Sequence, residues 1–409
     1  MPSLSATAAR IRPAVFADLQ ARIDRLAARG QDLVPLHIGD THLAPPPGAR
    51  AAVDGLRGDD AELFRYGATV ALPELRAALV ALVRARGVAM PIDPASEVLV
   101  GNGGTHALFC AARAVLDDGD EVVLASPYWP LAPGVFTSAG AVPVEAPLTQ
   151  LLYEDPSRDA GELLASRVGP RTKALYVISP NNPDGKVLSP AHLASIARLA
   201  VERDLWVFSD EVYADAVFEG RHTSIADLPG MRERTVVLHS LSKSHALAGC
   251  RIGFAVAPSA VVAAGRRVST HSAFNVAVAM QRAALAAASD AEFSASARES
   301  YRHARDAASE ALRGAPVRFH LAEGATYLFV DFAPALEAAP LDAAARDRPL
   351  LALLERAVDR GVLLAPGSAF GESYGTHARL CFTSAEPARV REGVLRLRSA
   401  IDALGRGEP

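Results

Sequence analysis

Strand-length runs of apolar, largely β-branched residues recur through the middle of this chain, at residues 97–100, 121–124, 174–178, 205–208, 235–238 and 252–256. Stretches with helical spacing separate them, among them residues 105–116 and 190–201. Strand runs alternating with helical runs predict an α/β fold, a mostly parallel central sheet with helices on both faces. Ligands of such sheets bind beyond the carboxyl ends of the strands, so that edge is where chemistry-bearing residues matter most.

The ends of the chain read differently. An amphipathic stretch at residues 15–28 leads to residues 36–39 and the breaker Pro45-Pro46-Pro47. From about residue 290 an Ala- and Arg-rich helical stretch runs into a strand pattern at 317–331, with further strands near 362–364 and 379–382. Residues 1–46 and 316–409 therefore predict a smaller α+β domain beside a large domain at 47–315. Residues 332–347, rich in Ala and Pro, read as a surface connection. At 409 residues the chain has ample length for two or three domains.

A formal net charge of only −4 gives no global electrostatic case for nucleic acid or an anionic membrane, so any phosphate recognition must be local. Cys110, Cys250 and Cys381 are odd in number, far apart and unpaired in spacing, which argues against a disulfide framework or a zinc site. The histidines show no metal-binding spacing. Without a leader pattern or a run of about 18 apolar residues, the sequence reads as soluble and cytoplasmic.

Of the 42 basic residues, only Lys173, Lys186 and Lys243 are lysines. A chain so biased toward Arg keeps Lys where a guanidinium cannot serve, such as in forming an imine, because Arg cannot be deprotonated while desolvation can lower an ammonium pKa by several units. Lys243 stands in Ser240-Leu241-Ser242-Lys243, directly after the apolar run at 235–239. Asp210 closes another apolar run in Ser209-Asp210-Glu211-Val212-Tyr213, and Arg251 follows Lys243. A carboxylate, an amine and a guanidinium at neighbouring strand ends are together suited to one heterocyclic phosphate.

Residues 98–108 read as strand, glycine-rich turn and helix, with Gly101, Gly103, Gly104 and Thr105 in the turn. Small residues let backbone N–H groups approach an anion at a helix N-terminus. This is no dinucleotide fingerprint, because the third glycine would fall at His106. Ser240, Ser242 and Arg251 supply the further donors and the cation that a phosphate monoester needs.

With these motifs assembled, the chain resembles the class I/II aminotransferases of the pyridoxal phosphate fold-type I superfamily, from Leu36-His37-Ile38-Gly39 to Arg379. The resemblance implies pyridoxal 5'-phosphate as cofactor, held as a Schiff base on Lys243, which then shuttles the substrate α-proton. It implies that Asp210 pairs with the pyridinium nitrogen and that Tyr213 and Asn182 donate to the cofactor's 3-oxygen. Asn182 lies in Ser179-Pro180-Asn181-Asn182-Pro183-Asp184-Gly185, where Asp184 replaces the family's usual Thr and Ser179 its first Asn. Trp129 takes the place of the aromatic that stacks on the ring. Gly103, Gly104, Thr105, Ser240, Ser242 and Arg251 are similar to the phosphate cup.

Tyr66 matches a tyrosine that reaches the phosphate in the neighbouring subunit, which implies a homodimer with shared active sites; Ala71, five residues on, stands where Gly is usual. Arg379 looks like the arginine that grips the substrate α-carboxylate, a contact its planar fork suits, and Gly39 and Asn182 belong to the same substrate site. The implied activity is transfer of an amino group between an L-amino acid and a 2-oxo acid. A lyase or other specialised enzyme of amino-acid or secondary metabolism on the same cofactor remains open, motivated by Thr326 where many aminotransferases carry an aromatic. A non-catalytic regulator is a remote third reading. Thr105, Thr41, His42, Phe16 and residues 272–275 are candidates for the pocket of the substrate side chain.

Overall fold

A computed structural model describes residues 2–408 except Ala14, Phe16 and Asp59. Its larger sheet holds β1 (Val98–Asn102), β2 (Glu121–Ser126), β3 (Val142–Pro147), β4 (Thr172–Ile178), β5 (Trp206–Asp210), β6 (Thr235–Ser240) and β7 (Ile252–Val256), in the order β1-β7-β6-β5-β4-β2-β3. Each of the six central runs expected from the sequence falls on a strand of this sheet. The strand β3 was not foreseen, because Pro143 and Pro147 interrupt its pattern; it lies at the sheet edge, where a missing N–H breaks no ladder bond.

Side chains of the strands alternate between two apolar layers, as a period of two requires. Val122 and Leu124, Tyr176 and Ile178, Phe208, and Val236 and Leu238 join one layer with residues of the helices Gly104–Val115 and Ser259–Ser272. Val123, Leu175, Val177 and Val207 face the helix Pro190–Glu202 on the other side. Near β1 and β7 that second side is covered by Pro73–Ala85 and Val278–Ala288.

The sheet is mixed, since β7 runs antiparallel to both of its neighbours. That reversal places the start of β7, and with it Arg251, at the same edge as the carboxyl ends of β1, β5 and β6. Beneath this edge Arg86 ends buried, donating to Asp215 from Nε at 3.0 Å and from Nη2, with Nη1 3.1 Å from His239 Nδ1. Removing one member of a buried pair leaves an uncompensated charge, so Asp215→Ala is expected to destabilise the fold by about 3–5 kcal/mol, read as a lowered midpoint in chemical denaturation.

A second sheet of three strands, in the order β8-β10-β9, comprises β8 (Tyr327–Asp331), β9 (Ala365–Pro366) and β10 (His377–Cys381). It differs from the expected pattern in two places. Residues 317–326 form no continuous strand, only isolated bridges from Arg318 to Asp331 and from Gly324 to Val217, and Val362 bridges Val34 while the paired strand begins at Ala365. Residues 332–347 are more than a surface connection, because they form the helices Ala333–Ala338 and Ala343–Asp347 and bury Ala335 and Leu336. The helix Ala291–Leu312 packs Ala297, Tyr301, Ala304 and Ala308 into the same core as Leu328, Val330, Leu380 and the N-terminal Leu19, Val34 and Leu36. Among the described residues, no helix is long and apolar enough to cross a membrane.

Candidate active site

A cavity of about 290 Å³ opens at the carboxyl edge of the large sheet. Of the residues singled out from the sequence, Gly104, Thr105, Trp129, Asn182, Asp210, Tyr213, Ser240, Ser242, Lys243 and Arg251 line it. They arrive from the ends of β1, β5 and β6, the start of β7, and the loops after β2 and β4. Of the other lysines, Lys173 is exposed and Lys186 is paired to Glu323 at 2.7 Å over the ring of Tyr153. Only Lys243 among them reaches the cavity, with Nζ donating to the carbonyl of Gly39.

Asp210 is fully enclosed. It accepts from the Tyr176 hydroxyl at 2.7 Å and from the Val212 N–H at 3.3 Å, and no ion pair to it is present among the described residues. Burial, partly offset by the bond from Tyr176, pushes its carboxyl up to about 6. A buried carboxylate without a cation is stable only if one arrives with the ligand or if it takes up a proton. Tyr176 was not singled out from the sequence; it faces the same side of the sheet as Asp210, one diagonal step across the β4/β5 register.

On the opposite wall, Gly103 takes φ 82° and opens the helix Gly104–Val115. A Cβ at Gly103 would lie 2.3 Å from Arg251 Nη2, so glycine is required both for this backbone and for the guanidinium. The hydroxyls of Ser240 and Ser242 lie 2.9 Å apart beside it. Guanidinium, hydroxyls and a helix N-terminus that converge on one wall are a donor set that fits a phosphate.

Arg379 is buried on β10. Its Nη1 donates to Asn182 Oδ1 at 3.0 Å and its Nη2 to the His37 carbonyl at 2.8 Å, while buried Nε has no hydrogen-bond partner. The guanidinium carbon stands 4.3 Å from the centre of the Tyr327 ring and 5.0 Å from that of Phe370. A desolvated guanidinium with donor capacity to spare suits a carboxylate.

Tyr66 does not line this cavity. It is 86 % exposed, with its ring edge-on to that of Phe274 at 4.9 Å. Ala71, in the nearby turn, takes φ 66°, a conformation that costs a non-glycine residue about 1 kcal/mol. The departures at Asp184 and Ser179 are absorbed locally: buried Asp184 accepts from Gln150, Asn181 and the Lys186 N–H, and Ser179 accepts from the Leu188 N–H.

Of the side-chain pocket candidates, Thr105 lines the cavity and Phe16 lies outside the described residues. Thr41 instead accepts from Tyr301 at 2.7 Å, and His42 turns to the carbonyl of Thr383 and to Glu386. In residues 272–275, Ser272 pairs with His106 and Asn275 donates to the neighbouring Val276 carbonyl. None of these lines the cavity.

Comparison with known proteins identifies the family of the whole chain. The family described as aminotransferase class I and II matches residues 31–397. A probable aspartate/prephenate aminotransferase of Thermus aquaticus is 34 % identical, covering 98 % of this chain and all of that protein. An arginine–pyruvate transaminase of Pseudomonas aeruginosa is also 34 % identical, over 95 % of each. The solved aspartate aminotransferase of Thermus thermophilus with maleate superposes with a TM-score of 0.85 at 33 % identity, over 98 % of this chain and 100 % of that one.

Proposed function

Because this chain belongs to the class I and II aminotransferase family, we propose that it moves an amino group between an amino acid and a 2-oxo acid with pyridoxal 5'-phosphate seated in the cavity around Lys243. The observation that carries this reading is the meeting, in one cavity, of an amine with a buried carboxylate that lacks a cation. When bound, pyridoxal phosphate supplies an electrophilic carbonyl carbon and a pyridinium ring that draws off the electron pair of a breaking Cα–H bond.

The chain's own residues then have distinct tasks. Lys243 would hold the cofactor covalently, and its amine would move the proton at the substrate Cα. Asp210 holds the ring nitrogen protonated. Trp129 covers one face of the ring, and Asn182 and Tyr213 donate to its oxygen. Arg251, Ser240, Ser242 and the N–H groups of Gly104 and Thr105 hold the phosphate, with Gly103 leaving room for the guanidinium. Arg379, with Asn182 and the backbone at Gly39, takes the substrate α-carboxylate.

The exposure of Tyr66 supports a homodimer in which each chain lends this phenol to its partner's phosphate site. Residues 1–46 and 316–409 form the smaller of two domains in this reading, and the protein is cytoplasmic.

The relatives' names run from aspartate and prephenate to arginine, so the amino donor is to be found with a panel. The protein loaded with pyridoxal phosphate, given each amino acid without an acceptor, is expected to release one 2-oxo acid per chain and no ammonia. Repeated release of ammonia, carbon dioxide or a thiol would make it a lyase or decarboxylase instead. Arg379→Ala is expected to raise KM roughly 10²-fold for every substrate with an α-carboxylate, the scale of losing charge-assisted hydrogen bonds. A loss confined to one substrate would contradict its role.

A further inference from the structure

Tyr327 lies between the two halves of the site, and neither the family match nor the motifs assign it a task. It opens β8, where it pairs with Cys381 of β10, and is only 1 % exposed. Its hydroxyl oxygen is 2.7 Å from that of Tyr213, and the two rings meet edge to face at 5.7 Å. Its own ring forms the floor beneath the Arg379 guanidinium at 4.3 Å, because Arg379 is the diagonal neighbour across the β8/β10 pair. A Cβ at Gly39 would stand 2.1 Å from the Tyr327 hydroxyl, so the space a side chain would fill at position 39 is used by this phenol. The Gly39 carbonyl in turn receives the Lys243 amine.

We propose that Tyr327 is a positioning residue for transamination: its hydroxyl donates to the Tyr213 oxygen, and its ring holds the Arg379 guanidinium in place. This rests on the assignment of Tyr213 and Arg379 above. A phenol has one proton and two lone pairs. If Tyr213 spends its proton on the bound ring's oxygen, its own oxygen is left to accept, and Tyr327 is the hydroxyl within reach. Accepting that bond makes Tyr213 a stronger donor, since hydrogen bonds in a chain polarise one another. The ring acts separately, because a cation over a buried aromatic face is held by dispersion and by the ring quadrupole. The other titratable or charged groups that bear on Tyr213 are Arg379 and Cys381 from β10, Tyr176 from β4, and Lys243 in the shared cavity.

The two roles separate experimentally. Tyr327→Phe removes one oxygen and keeps the ring, whereas Tyr327→Leu removes both. With pyridoxal phosphate bound, the pH midpoint of the visible absorption band is read by titration without turnover. A weaker Tyr213 donor leaves the ring oxygen holding its proton more tightly, so Tyr327→Phe is expected to raise the midpoint by about one pH unit, a tenfold change in proton affinity. The shift is expected to vanish in a Tyr213→Phe background, because Tyr327 acts through that oxygen. KM for the amino acid is expected to stay within about threefold of wild type in Tyr327→Phe and to rise tenfold or more in Tyr327→Leu, the fold-change of losing about 1.4 kcal/mol.

An unmoved midpoint in Tyr327→Phe, or a shift that persists without the Tyr213 hydroxyl, overturns the hydroxyl's role. Equal KM values in the two variants overturn the ring's role. If Tyr327→Leu does not fold, as judged by circular dichroism, the Phe variants still decide the first part, and Tyr327→Met, which keeps side-chain bulk without an aromatic face, replaces it for the second. A wild-type protein that takes up no pyridoxal phosphate overturns the cofactor reading itself, an outcome distinct from all of these.

Discussion

Lys243→Ala is expected to lower turnover by roughly four orders of magnitude or more, the scale on which enzymes lose rate when a covalent nucleophile is deleted. In the proposed function the amine has two jobs, covalent attachment and proton transfer, and no other residue lining the cavity carries a primary amine. The variant is also expected to lose the visible absorption of the attached chromophore. It should still hold pyridoxal phosphate through Arg251, Ser240 and the helix N-terminus, so equilibrium dialysis would find the ligand bound but unattached. Lys173→Ala is the matched control, since Lys173 is exposed on β4 and its loss should leave turnover unchanged. Full activity in Lys243→Ala would remove the basis for the whole assignment.

Asp210→Asn is expected to cost about 10²–10³-fold in kcat, the size of effect seen when one preorganised electrostatic group is removed from a site. The amide keeps the shape and the bond from Tyr176 but cannot hold a ring nitrogen protonated. The same residue predicts a pH dependence in the cofactor-free protein. Its carboxyl is raised from the ordinary range to about 6 by burial. Between about pH 4 and 6 the folded state therefore holds a proton that the unfolded chain has released, and the stability this provides is lost as pH rises through about 6.

The buried histidines act in the opposite direction. Burial, aided by Arg379, holds His37 down at about 4; burial also holds His245 at about 4 and lowers His239 well below its usual range, so these cost stability as pH falls below about 6.5. The difference in unfolding free energy between wild type and Asp210→Asn isolates the carboxylate. That difference should turn against the wild type as pH rises from 4 to 7; a flat difference would mean that Asp210 stays ionised without a ligand.

Lys243, Asp210, Arg251 and the Gly103-Gly104 turn were legible because each sits at the boundary of an apolar run, and strand ends are visible in a linear pattern. Tyr176 and Tyr327 were not. Tyr176 hides inside an apolar run, where an aromatic reads as core, and its partner Asp210 is 34 residues away. Tyr327, at the start of β8, meets Tyr213, in the turn after β5, across 114 residues. The opposite error occurred with Thr41 and His42. They follow Gly39 closely, yet the chain turns there and delivers both side chains to Tyr301 and Thr383. The edge strand β3 was missed because its prolines break a pattern whose ladder an edge position does not need in full.

By itself the sequence determined the periodicities, and through them a central sheet with apolar layers on both faces and reactive groups at its strand ends. These depend on local spacing, because side-chain direction repeats every two residues in a strand and every 3.6 in a helix. Only the tertiary structure decided the order of the strands, the reversal of β7 that brings Arg251 to the carboxyl edge, and the seating of β8 and β10 so that Tyr327 and Arg379 reach Tyr213 and Asn182. Each of these depends on which apolar faces pack against one another over long stretches of chain. No local pattern records that choice, because burial is satisfied equally by any partner face of the right shape.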